Sequence, residues 1–295
     1  MEHSHGSHGH GSHGGHHPGD ESHGAHHPED EASMADVLDL DAEVVRPYLD
    51  ELTAWAAGHA ETAPRTILDI GAGTGTGTLA LARRFASADL AAVDRSPGML
   101  DRLQAAAAAA GIADRLRTVQ ADLDSAWPAA AIGTADLAWA SSSLHHVADP
   151  DRVLANVHGA LNPGGLLVVV EMDAMPRFLP DGVYPGMEER CRRAAAGKGW
   201  NAWPNWTGHL ERAGFTVAEE RTFAIDLSPA PPAANRLAHR ILGGMRGRLA
   251  DQLPLEDIAA LDRLLDPADE EFVLRRSDLE VRSARTAWAA LRLTG

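Results

Sequence analysis

Four groups of residues combine types and spacing suited to chemistry, and they follow one another along the chain. The first is Asp69-Ile70-Gly71-Ala72-Gly73-Thr74-Gly75. Glycines at this spacing let the backbone turn tightly and let a ligand approach without a Cβ in the way. A helix beginning directly afterwards would add unpaired N–H groups. The second group is Asp94, placed to accept the hydroxyl hydrogens of a ribose. Its plainer alternative is a loop carboxylate that caps the next helix. The third is Asp122-Leu123: the carboxylate could take an amino hydrogen of adenine while Leu123 packs on the ring, although Asp is common in loops on its own account. The fourth is His145-His146. Imidazole titrates near neutral pH and can take a proton from a hydroxyl or amine nucleophile. Alternatively, one ring supports its loop by hydrogen bonding and the other faces outward.

The elements that must position these groups are short apolar runs separated by amphipathic helices. Ile67–Ile70, Leu90–Val93, Leu116–Gln120, Ala135–Ala140 and Leu166–Glu171 read as strands. Strands alternating with helices imply a parallel sheet covered on both faces. The continuous run Leu166-Leu167-Val168-Val169-Val170 suits a strand buried on both sides. Thr76–Phe85 reads as the helix after the glycines. Ser96 can cap the next, with Pro97 in its first turn and Gly111 just past its end. The spacing Gly71-x-Gly73-x-Gly75 is not the G-x-G-x-x-G of a dinucleotide site, because Thr76 stands where the third glycine would be. A nicotinamide-dependent oxidoreductase is disfavoured on that ground.

Composition narrows the partners. The chain has 295 residues, 44% of them hydrophobic, enough for one large domain with a sizeable core. Its net charge of −16 gives no attraction toward nucleic-acid phosphates or anionic lipid. No apolar stretch reaches the roughly 20 residues needed to span a bilayer, and no apolar leader is visible. Cys191 is the only cysteine, which rules out an internal disulfide and a cysteine-based zinc cluster. A cytoplasmic protein is expected, with no nucleic-acid or membrane partner and no metal site in the core. Oligomeric state is left open.

Residues 1–33 stand apart. Ten of the sixteen histidines lie there among Gly, Ser and Pro, with almost no apolar side chains. Such a segment cannot offset its ordering entropy and reads as a disordered tail. Dense neutral imidazoles would bind divalent transition metals weakly, in interchangeable geometries. A metal-handling role is the sharper alternative to a solvated tail. Residues 34–64 read as a helical cover, its apolar positions from Val37 to Trp55 recurring at three- and four-residue spacing and Pro47 dividing it.

Taken together, ILDIGAGTGTGTLALA, AAVDRSPGMLDRL, VQADLD, ADLAWASSSLHHVADP, LNPGGLLVVVEMD and HLERAGFTVAEE resemble, in order, the segments of class I S-adenosylmethionine-dependent methyltransferases. The likeness spans roughly 65–221 and is nearest to the small-molecule enzymes that carry a Leu-His-His segment. It implies a Rossmann-like α/β fold: a seven-stranded, mostly parallel sheet with helices on both faces and helical cap insertions, occupying 65–295. It further implies that S-adenosyl-L-methionine is the cofactor and a small molecule the acceptor. By the same resemblance Asp69, Gly71, Ala72 and Gly73 shape the site for the methionine part, and Asp94 and Arg95 serve the ribose region. Met99 packs against adenine, Asp122 and Leu123 bind its edge and face, and Ser141 lies near the amino-acid portion. Asn162-Pro163-Gly164-Gly165 would be a structural turn before the fifth strand. The reaction would be in-line displacement from sulfur, with His145 and His146 as the catalytic candidates.

Beyond the fifth strand the resemblance thins. Cap segments are expected at about 174–206 and 230–270. Trp200, Trp203 and Trp206 could line a substrate pocket or belong to a cap packed on the core. Phe215–Phe223 reads as a sixth strand, and Arg285–Leu293 as a seventh, antiparallel one at the sheet edge.

Overall fold

The computed structural model describes residues 28–198 and 205–294. Seven strands form one sheet: β1 Thr66–Ile70, β2 Asp89–Asp94, β3 Leu116–Gln120, β4 Ala135–Ser141, β5 Leu161–Met172, β6 Thr216–Leu227 and β7 Val281–Leu291. Their order is β3-β2-β1-β4-β5-β7-β6. The first five run parallel, and β7 lies antiparallel to both β5 and β6. The chain steps outward from β1 to β3, then returns to the other side of β1 with β4. The carboxyl ends of β1 and β4 therefore flank a reversal of direction, where open α/β sheets leave a crevice for ligands.

Strand character follows from burial on two sides. Leu166 to Val170 are all buried, alternating between two apolar layers. One layer meets α2 (Arg46–His59), α3 (Thr76–Arg84), α7 (Met187–Gly197), α9 (Ala233–Arg248) and α10 (Leu255–Leu265). The other meets α5 (Ala129–Ile132), α6 (Pro150–Ala160) and α8 (Thr207–Arg212). α4 (Pro97–Ala109) begins as its sequence predicts: Ser96 Oγ accepts the Met99 amide at 3.0 Å, and Pro97 stands in the first turn.

Four boundaries differ from the sequence reading. The first helix, α1 (Pro28–Val44), opens inside the segment assigned to the tail, so the division at 33/34 falls within a helix. Proline is tolerated as a first helical residue because its missing N–H would have had no partner there. The break between α1 and α2 comes at Val45, and Pro47 is the second residue of α2 rather than the divider itself. Asn162–Gly165 does not precede β5 but is an excursion within it: Ala135 pairs with Leu161, and the ladder resumes only at Leu137 with Leu166. Lastly, β7 is interior. Ala287, Trp288, Ala289 and Ala290 are buried on both faces between β5 and β6. The small alanines allow helices to approach, and the edge falls to β6, whose Glu219 and Glu220 suit an exposed margin. Residues 1–27, with the histidine-rich stretch, lie outside the described residues. No helix among those described is long and apolar enough to cross a membrane.

Candidate active site

The glycine loop leaves β1 and is tied at once to β2. The amides of Gly71 and Ala72 donate to the Val93 carbonyl at 2.8 and 3.0 Å. The Gly73 amide donates to Asp94 Oδ2 at 2.8 Å, while Asp94 Oδ1 accepts the Ser96 amide at 2.9 Å. One half-buried carboxylate thus joins the loop to the start of α4. Gly71 and Gly73 have φ of +67° and +53°, a region costly for residues with a Cβ. A Cβ on Gly71 would stand 2.4 Å from Ser143 Cβ, so the turn after β4 packs directly on the loop. A Cβ on Gly73 would meet Leu38 Cδ1 at 3.2 Å, which places α1 over the same loop.

Asp69 stands just before this loop. It is buried in β1, and its Oδ2 accepts the Thr78 hydroxyl from α3 at 2.5 Å. Burial chiefly, with Asp94 nearby, pushes its carboxyl up to about 7. Asp69 therefore holds α3 to β1. Thr78, its partner, had no distinguishing mark in the sequence beyond its place one turn into the helix.

The remaining predicted contacts lie at or just past the carboxyl ends of β2, β3 and β4. Met99 is buried at the start of α4, and Arg95 is exposed beside Asp94. Asp122 is exposed and accepts hydrogen bonds within its own turn, from the Asp124 amide at 2.9 Å and the Ser125 hydroxyl at 3.2 Å. Leu123 is half-buried, its carbonyl held by Arg152 at 2.9 Å. Ser141, half-buried, ends β4.

The turn after β4 carries the histidines. Ser142 adopts φ of +50°, an uncommon conformation for a side-chain-bearing residue. Ser143 Oγ donates to the Ile70 carbonyl at 2.8 Å, fixing the turn to the end of β1. His145 and His146 follow in a short 3-10 turn, their ring centres 3.9 Å apart. His146 is exposed. His145 Nδ1 lies 2.6 Å from Glu171 Oε2, with side-chain exposures of 17% and 4%. Glu171 ends the apolar run of β5. Its other oxygen, Oε1, is buried without a hydrogen-bond partner. The sequence reading passed over Glu171, yet a carboxylate closing five buried aliphatic residues was the available signal.

A second buried charge stands on the neighbouring strand, opposite Met172. Arg285 in β7 is 8% exposed and donates from Nη2 to Asp41 Oδ2 of α1 at 2.5 Å. Its guanidinium carbon lies 5.3 Å from the Tyr48 ring centre. Burial pushes the Tyr48 hydroxyl well above the usual phenol range. Asp173, at the end of β5, accepts the Thr286 hydroxyl at 2.8 Å.

Of the three tryptophans expected at a substrate pocket, Trp200 and Trp203 lie outside the described residues. Trp206 is a correction. It is fully buried in the core layer with Leu210, Phe215 and Trp288, its ring 5.4 Å from His209. An aromatic side chain preceding an amphipathic helix was taken up by packing. Among the described residues no cluster of three or more His, Cys, Asp or Glu is placed to hold a metal ion.

A left-handed glycine loop at the reversal point of a parallel sheet is latched to an acidic residue at the end of β2, and an antiparallel seventh strand completes the sheet, an open α/β architecture with its crevice at the carboxyl ends of the strands. Residues 67–165 match the family model described as a methyltransferase domain. A trans-aconitate 2-methyltransferase of Methylobacterium radiotolerans is 30% identical over 217 residues, 71% of this chain and 73% of the relative. A malonyl-[acyl-carrier protein] O-methyltransferase of Dechloromonas aromatica is 37% identical over 101 residues, 34% of this chain and 38% of that one. A Synechococcus protein is 39% identical over 115 residues, only 27% of its own length. The solved structure of a methyltransferase-type protein of Bacillus halodurans C-125 superposes over 82% of this chain and 98% of its own, with a TM-score of 0.51 at 18% identity, a likeness of fold alone. The chain belongs to the class I S-adenosylmethionine-dependent methyltransferases and is a methyltransferase.

Proposed function

We propose that this enzyme transfers the methyl group of S-adenosyl-L-methionine to a small-molecule acceptor by in-line displacement, with His145 as the base. The observation that carries the cofactor assignment is the latch between Gly73 and Asp94. It presents glycine backbone and a carboxylate side by side at the carboxyl ends of β1 and β2. These residues suit the cofactor: the left-handed glycines let the loop turn tightly and expose backbone at the end of β1, and Asp94 keeps lone pairs for two ribose hydroxyls. Ala72, Arg95, Met99, Asp122, Leu123 and Ser141 complete the proposed contact set. When bound, S-adenosyl-L-methionine supplies an electrophilic methyl on a cationic sulfur. The acceptor's electron pair forms the new bond to carbon as the carbon–sulfur pair returns to sulfur, leaving S-adenosylhomocysteine. Much of the rate comes from alignment. His145, held on the turn that packs against the glycine loop, takes the acceptor's proton.

Two of the matched relatives are named for carboxyl-bearing compounds, trans-aconitate and malonyl-[acyl-carrier protein]. The charges at the ends of β5 and β7 argue for a different acceptor here. Glu171 and Asp173 are acidic, and Arg285 is already paired with Asp41. A neutral or cationic acceptor suits that balance. We place the enzyme in the cytoplasm, in keeping with a lone, buried Cys191.

Calorimetry tests the cofactor. The full chain should bind S-adenosylmethionine at micromolar Kd and NADH not at all, and Asp94→Ala should lose the first. Binding of NADH alone would overturn the proposal.

A further inference from the structure

We infer that Glu171 is a positioning residue that fixes the tautomer of His145, so that Nε2 is the nitrogen left basic. The inference rests on the reading of His145 as the base. A carboxylate can only accept hydrogen bonds. At 2.6 Å from Glu171 Oε2, Nδ1 of His145 is therefore the nitrogen that carries the proton. In a neutral ring the lone pair then lies on Nε2. Free imidazole side chains prefer the opposite arrangement, with hydrogen on Nε2, so the environment must impose this one.

Three features make the imposition effective. Glu171 sits on an interior strand, paired on one side with Thr286 of β7, and cannot swing away. Its side chain is almost wholly buried, which strengthens a hydrogen bond to it. And Oε1 has no hydrogen-bond partner, so among the described residues His145 is the hydrogen-bonding group that, together with the nearby charge of Arg285, offsets the desolvation of this carboxylate. The imidazole is constrained from its other side by the turn: Ser142 is left-handed, and Ser143 is anchored to Ile70. A purely structural carboxylate at this place would cost stability that an aliphatic residue would not.

In the reaction the acceptor's proton passes to Nε2 while its electron pair stays behind to bond carbon. His145 becomes an imidazolium with both nitrogens protonated. The Glu171 carboxylate beside Nδ1 stabilises that charge without taking the proton itself.

Long-range proton–nitrogen correlation spectra of the full chain with 15N-labelled histidine, at alkaline pH where imidazole is neutral, read the tautomer directly. His145 is assigned by the signal lost in His145→Gln. The expected wild-type pattern has hydrogen on Nδ1. Glu171→Met should move the majority to hydrogen on Nε2, and Glu171→Gln, whose amide oxygen still accepts, should restore Nδ1. A wild-type ring protonated on Nε2, or one unchanged in Glu171→Met, overturns the inference. Should the methionine variant fail to fold, the wild-type spectrum alone decides. Calorimetry with S-adenosylmethionine on the same samples separates the two readings. Failure to bind the cofactor defeats the methyl-transfer reading, whereas the wrong tautomer defeats only the role of Glu171.

Discussion

The two halves of the sheet are built on different principles. In the half formed by β3, β2, β1 and β4, elements follow one another along the chain, and the candidate ligand contacts sit just past strand ends. In the half formed by β5, β7 and β6, neighbours in space are far apart in sequence. Residue 166 pairs with 291, and 227 with 281. Charges there are spent on tying layers together, as Arg285 does with Asp41 across 244 positions. The first half presents most of the candidate ligand contacts, whereas the second, Glu171 apart, holds itself and the covering helices in place.

That contrast can be broken by experiment. A large loss of stability is expected at the tie. Asp41→Ala strands the buried Arg285 guanidinium and should cost about 3 kcal/mol of stability, the low end for such a group because Asp41 is partly exposed. Denaturant unfolding measures it. At the site, Asp94→Ala should weaken S-adenosylmethionine by about 100-fold, as expected for losing two hydrogen bonds to a charged acceptor, with a smaller loss of stability than at the tie because only the two amides it holds, of Gly73 and Ser96, lose a partner. If Asp41→Ala proved neutral to stability and Asp94→Ala unfolded the chain, the division would disappear.

A third prediction concerns pH. The Asp69 carboxyl is raised from 3.8 to about 7 by burial, so the folded protein holds a proton that the unfolded chain releases. This contribution to stability is complete below about pH 4 and is lost as pH rises through 7. It amounts to at most roughly 4 kcal/mol. Thermal unfolding of Asp69→Asn should show a flatter dependence over pH 4–7 than wild type; identical slopes would sink the assignment. The smallest effect belongs to the supporting half. The Cys191 thiol, buried in α7, is pushed up to about 11 and should resist alkylation at pH 8 until denaturant is added. Rapid labelling of the native protein would mean that α7 is less firmly packed than the rest of its layer.

The same contrast explains what was legible in the sequence. Gly71, Gly73 and Asp94 could be read because a backbone that must turn left-handed, or a carboxylate that must end a strand, leaves few residue types to choose from. Four strands were found within a residue, and the apolar stretch of the fifth was found without its five-residue opening, for the related reason that burial on both faces demands a continuous apolar run. The interior place of β7 was not legible. Its alanines alternate too weakly to announce two buried faces, and strand order is a long-range fact. Trp206 could not be decided because an aromatic ring suits a core and a pocket equally well. Glu171 was overlooked because its partner, His145, is 26 positions away and the pair exists only after β4 and β5 have come together.

The antiparallel insertion of β7 has a consequence for synthesis. A ribosome delivers β5 and β6 well before the strand that joins them. Through the whole translation of α9 and α10, the apolar margin of β5 from Leu166 to Met172 has no neighbour on that side. An uncovered hydrophobic margin of this length is a template for pairing with another nascent copy. The half-made enzyme is thus exposed to misassembly until its final strand arrives and locks between the two that wait for it, and nascent chains stalled before residue 281 are where chaperone dependence should be sought.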